Sequence, residues 1–267
     1  MRKYDYLIEE KKTLNESFNR LVDIIKVLRV ECPWDREQTH QSLIPCLKEE
    51  AYETIDAIQE NNDENLKEEL GDVLLQVVFH GIIANETSKF TLVDIINAEC
   101  EKMIRRHPHV FSENEDKTID KVLETWEDIK CKEHKVGSQT NRLYSVPNAL
   151  PALIKSLKIQ KKAAESGFDW ESIDGSINKI DEETEELKIA IKANDITNIE
   201  EELGDLLFTI VNASRFLKVN PEEALVKTTD KFIRRFEFIE DNSNKEMTEL
   251  TLEEMDMLWN KAKQNGL

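Results

Sequence analysis

Two segments of this chain copy each other, and that duplication limits the possible folds more than any other feature. Glu49-Glu50-x-x-Glu53 recurs as Glu182-Glu183-x-x-Glu186, and Glu68-Glu69-Leu70-Gly71-Asp72 recurs as Glu201-Glu202-Leu203-Gly204-Asp205, both at a shift of 133 positions. Lys102-x-x-Arg105-Arg106 returns as Lys231-x-x-Arg234-Arg235 at a shift of 129, and Trp126-x-x-x-Lys130 as Trp259-x-x-x-Lys263 at 133. Chance in a Glu- and Lys-rich chain scatters Glu-Glu pairs. It does not return four motifs in one order at near-constant spacing. Self-similarity of this kind means that one structural unit is built twice. The first unit is expected over residues 15–134 and the second over 148–267, with the polar, turn-rich stretch 135–147 as a linker.

Within each copy the apolar residues fall at helical spacing. Phe18, Leu21, Ile24, Ile25 and Leu28 form a stripe that ends at Cys32-Pro33-Trp34-Asp35. Leu153, Ile154, Leu157 and Ile159 do the same before Gly167-Phe168-Asp169-Trp170. Further helices are expected over about 41–59, 64–85 and 92–106, with a turn at Asn61-Asn62-Asp63, a stop before Pro108 and a short last helix carrying Trp126. No segment alternates as a strand does. Only seven glycines and six prolines punctuate 267 residues, which also favours long elements. The expected fold is all-α: two tandem four-helix-type modules, whose broad apolar faces favour pairing with a second copy.

The net charge of −19 argues against a DNA or RNA polymer or an anionic membrane as partner. No apolar run approaches the length of a membrane span, the N-terminus lacks the apolar core of a signal peptide, and four cysteines without paired spacing fit a reducing, cytoplasmic setting. An anionic small ligand would then need a cation or a local basic cluster to bind.

Both are readable. Residues at i, i+3 and i+4 share a helix face, so Glu49, Glu50 and Glu53 group together, as do Glu69 and Asp72. Two antiparallel helices would turn these sets toward each other, and four or five carboxylates around one point must be protonated or bridged by cations. An oxygen-only donor set without imidazole or thiolate suits Mg²⁺, or Mn²⁺ as a substitute. The same holds for Glu182, Glu183, Glu186, Glu202 and Asp205. A merely solvated acidic face is the competing reading. It fits Asp72 and Asp205 poorly, because each opens an apolar run and should be half-buried. Gly71 and Gly204 cost a helix about 1 kcal/mol each, which close approach of another backbone or a ligand would explain. A di-iron site needs two Glu-x-x-His pairs, and only Glu37/His40 has that spacing.

Lys102 with Arg106, and Lys231 with Arg235, are i and i+4 pairs that either neutralise glutamates or bind phosphate. Trp126 and Trp259 either join the core or stack on a nucleobase, with Lys130 and Lys263 one turn on. His107 and His109, present in one copy only, read as structural or surface groups.

Taken together, Cys-Pro-Trp-Asp at 32–35, Glu-Glu-Ala-Tyr-Glu at 49–53, the two Glu-Glu-Leu-Gly-Asp segments, Arg-Arg-His-Pro-His-Val-Phe at 105–111 and Lys-Phe-Ile-Arg-Arg-Phe at 231–236 resemble the MazG family of nucleoside triphosphate pyrophosphohydrolases. The resemblance implies an all-α homodimer that hydrolyses nucleoside triphosphates, ribo or deoxy, to the monophosphate and pyrophosphate with Mg²⁺. By that resemblance Glu182, Glu183, Glu186, Glu202 and Asp205 are metal ligands, Glu201 an added acid, Lys231 and Arg235 phosphate contacts, and Trp259 and Lys263 nucleotide contacts. The matching first-copy set is Glu49, Glu50, Glu53, Glu69, Asp72, Lys102, Arg106, Trp126 and Lys130. Glu183, Glu186, Glu50 and Glu53 are the expected catalytic carboxylates, and few base contacts imply broad base tolerance. A non-catalytic module that binds nucleotides or alarmones would use the same acids. The copies are not identical: Asp56 corresponds to Ile189, and the first has four more residues between its last acid and its basic pair.

Overall fold

The computed structural model describes residues 3–111, 118, 122, 129 and 138–267. Among these the regular structure is helical, with no strand. The chain divides into two compact units, Met1–Glu133 and His134–Leu267.

In the first unit, α1 (Leu14–Glu31), α2 (Ile44–Gln59), α3 (Asp63–Glu86) and α4 (Leu92–Arg106) are the main helices. In the second, α5 (Ala152–Ala164), α6 (Ile173–Ala193), α7 (Ile196–Phe216), α8 (Pro221–Asn242) and α9 (Leu252–Gln264) repeat the pattern. The expected terminal helix around Trp126 lies outside the described residues, as do Trp126 and Lys130.

The decisive local structure is a helical hairpin made twice by the same device. Asn61 (φ 55°) and Asn194 (φ 53°) adopt the left-handed conformation that ends α2 and α6, a region asparagine tolerates better than most residues. The next residue then starts the following helix. The Asn62 side chain accepts from Asn65 N, and that of Asp195 from Asn198 N. Each cap satisfies a backbone N–H at the head of α3 or α7, worth about 1 kcal/mol. So α2 packs on α3, and α6 on α7, as antiparallel pairs.

What covers each hairpin differs. In the first unit α1 and α4 both pack on α3. The core is apolar: Ile25, Leu43, Val78, Phe79, Ile82 and Ile83 are buried, with Phe18, Leu21 and Leu28 against them. In the second unit α5 bridges α7 and α8, and α8 pairs with α9. Its buried set includes the polar residues Gln160, Ser176, Glu183 and Thr209, where the first unit has Gln76 among its described residues.

The structure departs from the expected boundaries at two edges. Residues before 15 are part of the first unit: Leu7 is buried, and Arg20 Nε donates to its carbonyl. The expected linker is partly folded, with a short helix at Gln139–Tyr144, a buried Val146 and an Arg142–Glu165 ion pair at 2.6 Å. Composition marks this stretch as polar, yet Val146, the ion pair and a hydrogen bond from Ser166 Oγ to Gln139 Oε1 join it to the second unit. No helix among the described residues is long and apolar enough to cross a membrane.

Candidate functional site

The hairpins bring their acids together. In the first unit a carboxylate oxygen from each of Glu50, Glu69 and Asp72 lies within 4.8 Å of the others, and all three residues are half-buried. In the second unit the converging groups are Glu183, Glu186 and Glu202, with Glu183 buried, Glu202 half-buried and Glu186 exposed. The electrostatics follow from the crowding. Desolvation pushes the Glu50 carboxyl upward from its ordinary range, and the charges of Asp72, Glu53, Glu69 and Glu49 push the same way. Glu69 is raised by desolvation and by Glu53, Asp72 and Glu68. Glu186 is raised by desolvation and Glu183, and Glu202 by desolvation, Glu186, Glu183, Asp205 and Glu201. Anions held this close favour either a proton or a shared cation.

The remaining expected acids surround these triads. Glu49, Glu53, Glu182, Glu201 and Asp205 are exposed. One expectation needs correction: Asp72 is half-buried, but Asp205 is exposed, so its place at the head of an apolar run does not bury it. A Cβ at Gly71 or Gly204 would meet nothing within 4 Å among the described residues, so of the two explanations the sequence offered for these glycines, close approach of another backbone finds no support within this chain.

A residue that the motif analysis missed sits inside the second cluster. Lys179 Nζ is 2.6 Å from Glu183 and 2.8 Å from Glu182. Hydrogen bonds to Glu182 and Glu183 raise the lysine above its ordinary range, so it stays an ammonium. The position one repeat earlier is Cys46. One copy therefore carries an internal cation among its acids and the other does not. The signal was present in the sequence as a lysine one turn before the Glu-Glu pair, at i−3 and i−4.

The basic and aromatic residues lie on other helices. Lys102 on α4 pairs with Glu99, the neutralising reading of that residue, whereas Lys231 on α8 makes no ion pair among the described residues. Arg106 is half-buried at the end of α4. Arg235 Nε donates to the Leu267 carbonyl, and its guanidinium lies over the Trp259 ring. Trp259 also packs on Phe232, with ring centroids 5.1 Å apart, and Lys263 is exposed one turn on. This group is assembled by α8 and α9, while the acids are assembled by α6 and α7. His107 is half-buried with Nδ1 2.6 Å from the Met103 carbonyl, and His109 is half-buried beside it.

The triads are suited to a hard divalent cation. Their donors are carboxylate oxygens alone, close enough to share one ion. They therefore form candidate metal centres, one per unit.

Comparison with known proteins places these features in context. The sequence model for the MazG nucleotide pyrophosphohydrolase domain matches residues 38–111 and 172–240, the two acidic hairpins and the helix after each. The chain is 49% identical over 251 residues to the nucleoside triphosphate pyrophosphohydrolase/pyrophosphatase MazG of Thermotoga maritima, covering 92% of this chain and 95% of that protein. It is 40% identical over 257 residues to the nucleoside triphosphate pyrophosphohydrolase of Escherichia coli K12, covering 93% and 98%. A solved mazG-related protein from Thermotoga maritima aligns over 42% of this chain and 98% of its own, at 27% identity and a TM-score of 0.38.

Proposed function

The chain belongs to the MazG nucleotide pyrophosphohydrolase family, and from that premise we propose that it hydrolyses ribo- and deoxyribonucleoside triphosphates to monophosphate and pyrophosphate, with Mg²⁺ in its acidic clusters and Mn²⁺ as a working substitute. The observation that carries this reading is the convergence of Glu183, Glu186 and Glu202, and of Glu50, Glu69 and Asp72, each within 4.8 Å. Carboxylates crowded to that extent, whose ionisation is disfavoured first by desolvation and then by their mutual repulsion, gain from sharing a divalent ion. Glu182 and Asp205 in one copy, and Glu49 and Glu53 in the other, extend the ligand sets.

A bound Mg²⁺ supplies Lewis-acid polarisation of phosphate oxygens and a more acidic water. The chain's own groups do the rest. Glu183 and Glu186, or Glu50 and Glu53, orient the water and accept its proton as its oxygen attacks the α-phosphorus. The bond from that phosphorus to the bridging oxygen breaks, and pyrophosphate leaves. Lys179, Lys231 and Arg235 offset the charge that grows on the leaving group, with Lys263 and Trp259 beside the nucleotide. Base tolerance is broad, because the chemistry addresses only the triphosphate.

The acting form is a homodimer. Leu203, Leu207 and Ile210 are exposed along α7, an apolar stripe that a second copy would cover. The test is pyrophosphate release from several nucleoside triphosphates with and without Mg²⁺. The reading requires metal-dependent release that the Glu50→Ala/Glu183→Ala double variant abolishes. Metal-dependent nucleotide binding without release would instead make the chain a non-catalytic nucleotide-binding module.

A further inference from the structure

One pair of side chains in the first unit takes no part in the proposed chemistry. His40 lies in the lead between the short helix Pro33–Glu37 and α2, and His80 lies on α3. Their Nδ1 atoms are 2.8 Å apart, with the ring centroids 5.1 Å apart and the planes 17° from parallel. At that centroid separation, 2.8 Å is the closest approach two imidazole nitrogens can make, so both lie on the line between the rings. The imidazoles meet edge to edge in one N–H···N bond, not face to face. Both residues are half-buried. At the repeat shift of 133 the second unit has Ile173 and Ala213, which do not titrate. The pair therefore belongs to one copy.

Such a bond is sensitive to the number of protons it holds. A neutral imidazole donates from one ring nitrogen and accepts at the other, whereas an imidazolium only donates. In the neutral pair one Nδ1–H donates to the other Nδ1. A first added proton goes to Nε2 of the donating ring, and the bond survives as a charge-assisted one. A second must go to the accepting Nδ1. Two N–H groups on two cations then face each other, and attraction turns to repulsion. Burial opposes the same step. Desolvation, and after it the charge of His40, pushes the His80 imidazole below its ordinary range. Helices α1, α2 and α4 pack on α3. They carry Arg29, Cys46, Lys48 and Asp94 among their titratable groups, and the short helix carries Asp35 and Glu37. Among all of these and the acids of α3 itself, including Asp72 and Glu86, none shifts His80; His40 is the one charge that does.

What the bond fastens is the approach to α2. Upstream, the Arg29 guanidinium donates to the carbonyls of Asp35, Arg36 and Gln38, and arginine stays charged at any relevant pH. Within the lead, Thr39 and Ser42 each bond the backbone N–H of the other through their hydroxyls, and Leu43 is buried in the core. The imidazole bond ties the middle of the lead across to α3. The helix that follows carries Glu49, Glu50 and Glu53.

We propose that His40 and His80 form a proton-operated latch on the first hairpin, closed while the pair holds at most one added proton and released when both rings are charged, which frees the lead into α2 from α3. The second unit has no such latch. Folding favours the uncharged His80, so the latch contributes fully above the ordinary histidine range and is lost as the pH falls through the lowered value. Mild acid therefore loosens the lead of the first unit and not that of the second.

Two measurements on the full chain test this. Hydrogen exchange read by mass spectrometry compares a peptide over residues 38–44 with one over 171–177, at about pH 7.5 and about pH 5, each corrected for its intrinsic exchange rate. Protection of the first is expected to fall about tenfold relative to the second. In His40→Ile/His80→Ala, which installs the residues of the second copy, the ratio is expected to change by less than about twofold. A wild-type ratio that does not change overturns the latch. So does a variant ratio that changes as the wild type does, because the loosening then belongs to the carboxylates. Nitrogen NMR of the imidazoles needs no variant that could fail to fold. One ring of the pair is expected to take its proton and the other to resist until well below the ordinary range. Two rings that titrate independently within that range overturn the proposal. His40→Gln is expected to move His80 back toward the ordinary range, and an unmoved His80 also overturns it.

Discussion

The two hairpins share their turn, their caps and their acids, yet they surround those acids differently. The first has no lysine ion-paired within its triad, Glu50, Glu69 and Asp72, among the described residues, and it has an apolar core cluster. The second places Lys179 among its acids and opens a lined cavity along the same helix. Duplication therefore kept an acidic cluster on both hairpins but not the same closest three acids: Asp72 completes the first, whereas Glu186, the counterpart of Glu53, completes the second.

The sharpest way to break this comparison is to disable the copies singly. Glu183→Ala should lower pyrophosphate release by about 100-fold, the scale of losing one group that stabilises a transition state, whereas Glu50→Ala should leave most of it. Steady-state rates decide this, and the reverse ranking would move the chemistry to the first unit. Next in size is the Arg29 network of the first unit. Arg29→Met removes charge-assisted bonds to Glu86 and three carbonyls, and should cost about 2 kcal/mol, read by denaturant unfolding. A loss near zero would mean that the core of that unit does not depend on it.

The internal cation gives a smaller effect. Cys46→Lys should weaken Mg²⁺ at the first triad about tenfold, roughly 1.4 kcal/mol, and Lys179→Met should strengthen it at the second; calorimetric titration of each variant measures both. Protons compete with the ion in the same direction everywhere. Because the Glu50, Glu69, Glu186 and Glu202 carboxyls are raised in the folded protein, their contribution favours the metal-free fold below the ordinary carboxylate range and is lost as the pH rises through the raised values. The rise in melting temperature on adding Mg²⁺ should therefore shrink as pH falls from neutral toward that range. A rise that grew on acidification would contradict carboxylate ligation. The smallest and most symmetric effect concerns the caps. Asn62→Ala and Asp195→Ala should each cost about 1 kcal/mol, and a large difference between them would show that the shared turn does not carry equal weight in both copies.

The sequence alone determined the duplication, the helical class and the hairpin that gathers the acids, because these rest on short-range facts: helical periodicity, an asparagine that accepts a left-handed turn, and side chains one turn apart. The boundaries of α4, Leu92–Arg106, were legible for the same reason. Only the tertiary structure decided that Glu183 is buried against Lys179, that Asp205 is exposed, and that Phe79 and Ile82 are buried while their repeat counterparts Asn212 and Arg215 line a cavity. Each of those outcomes depends on which distant helix covers a given face.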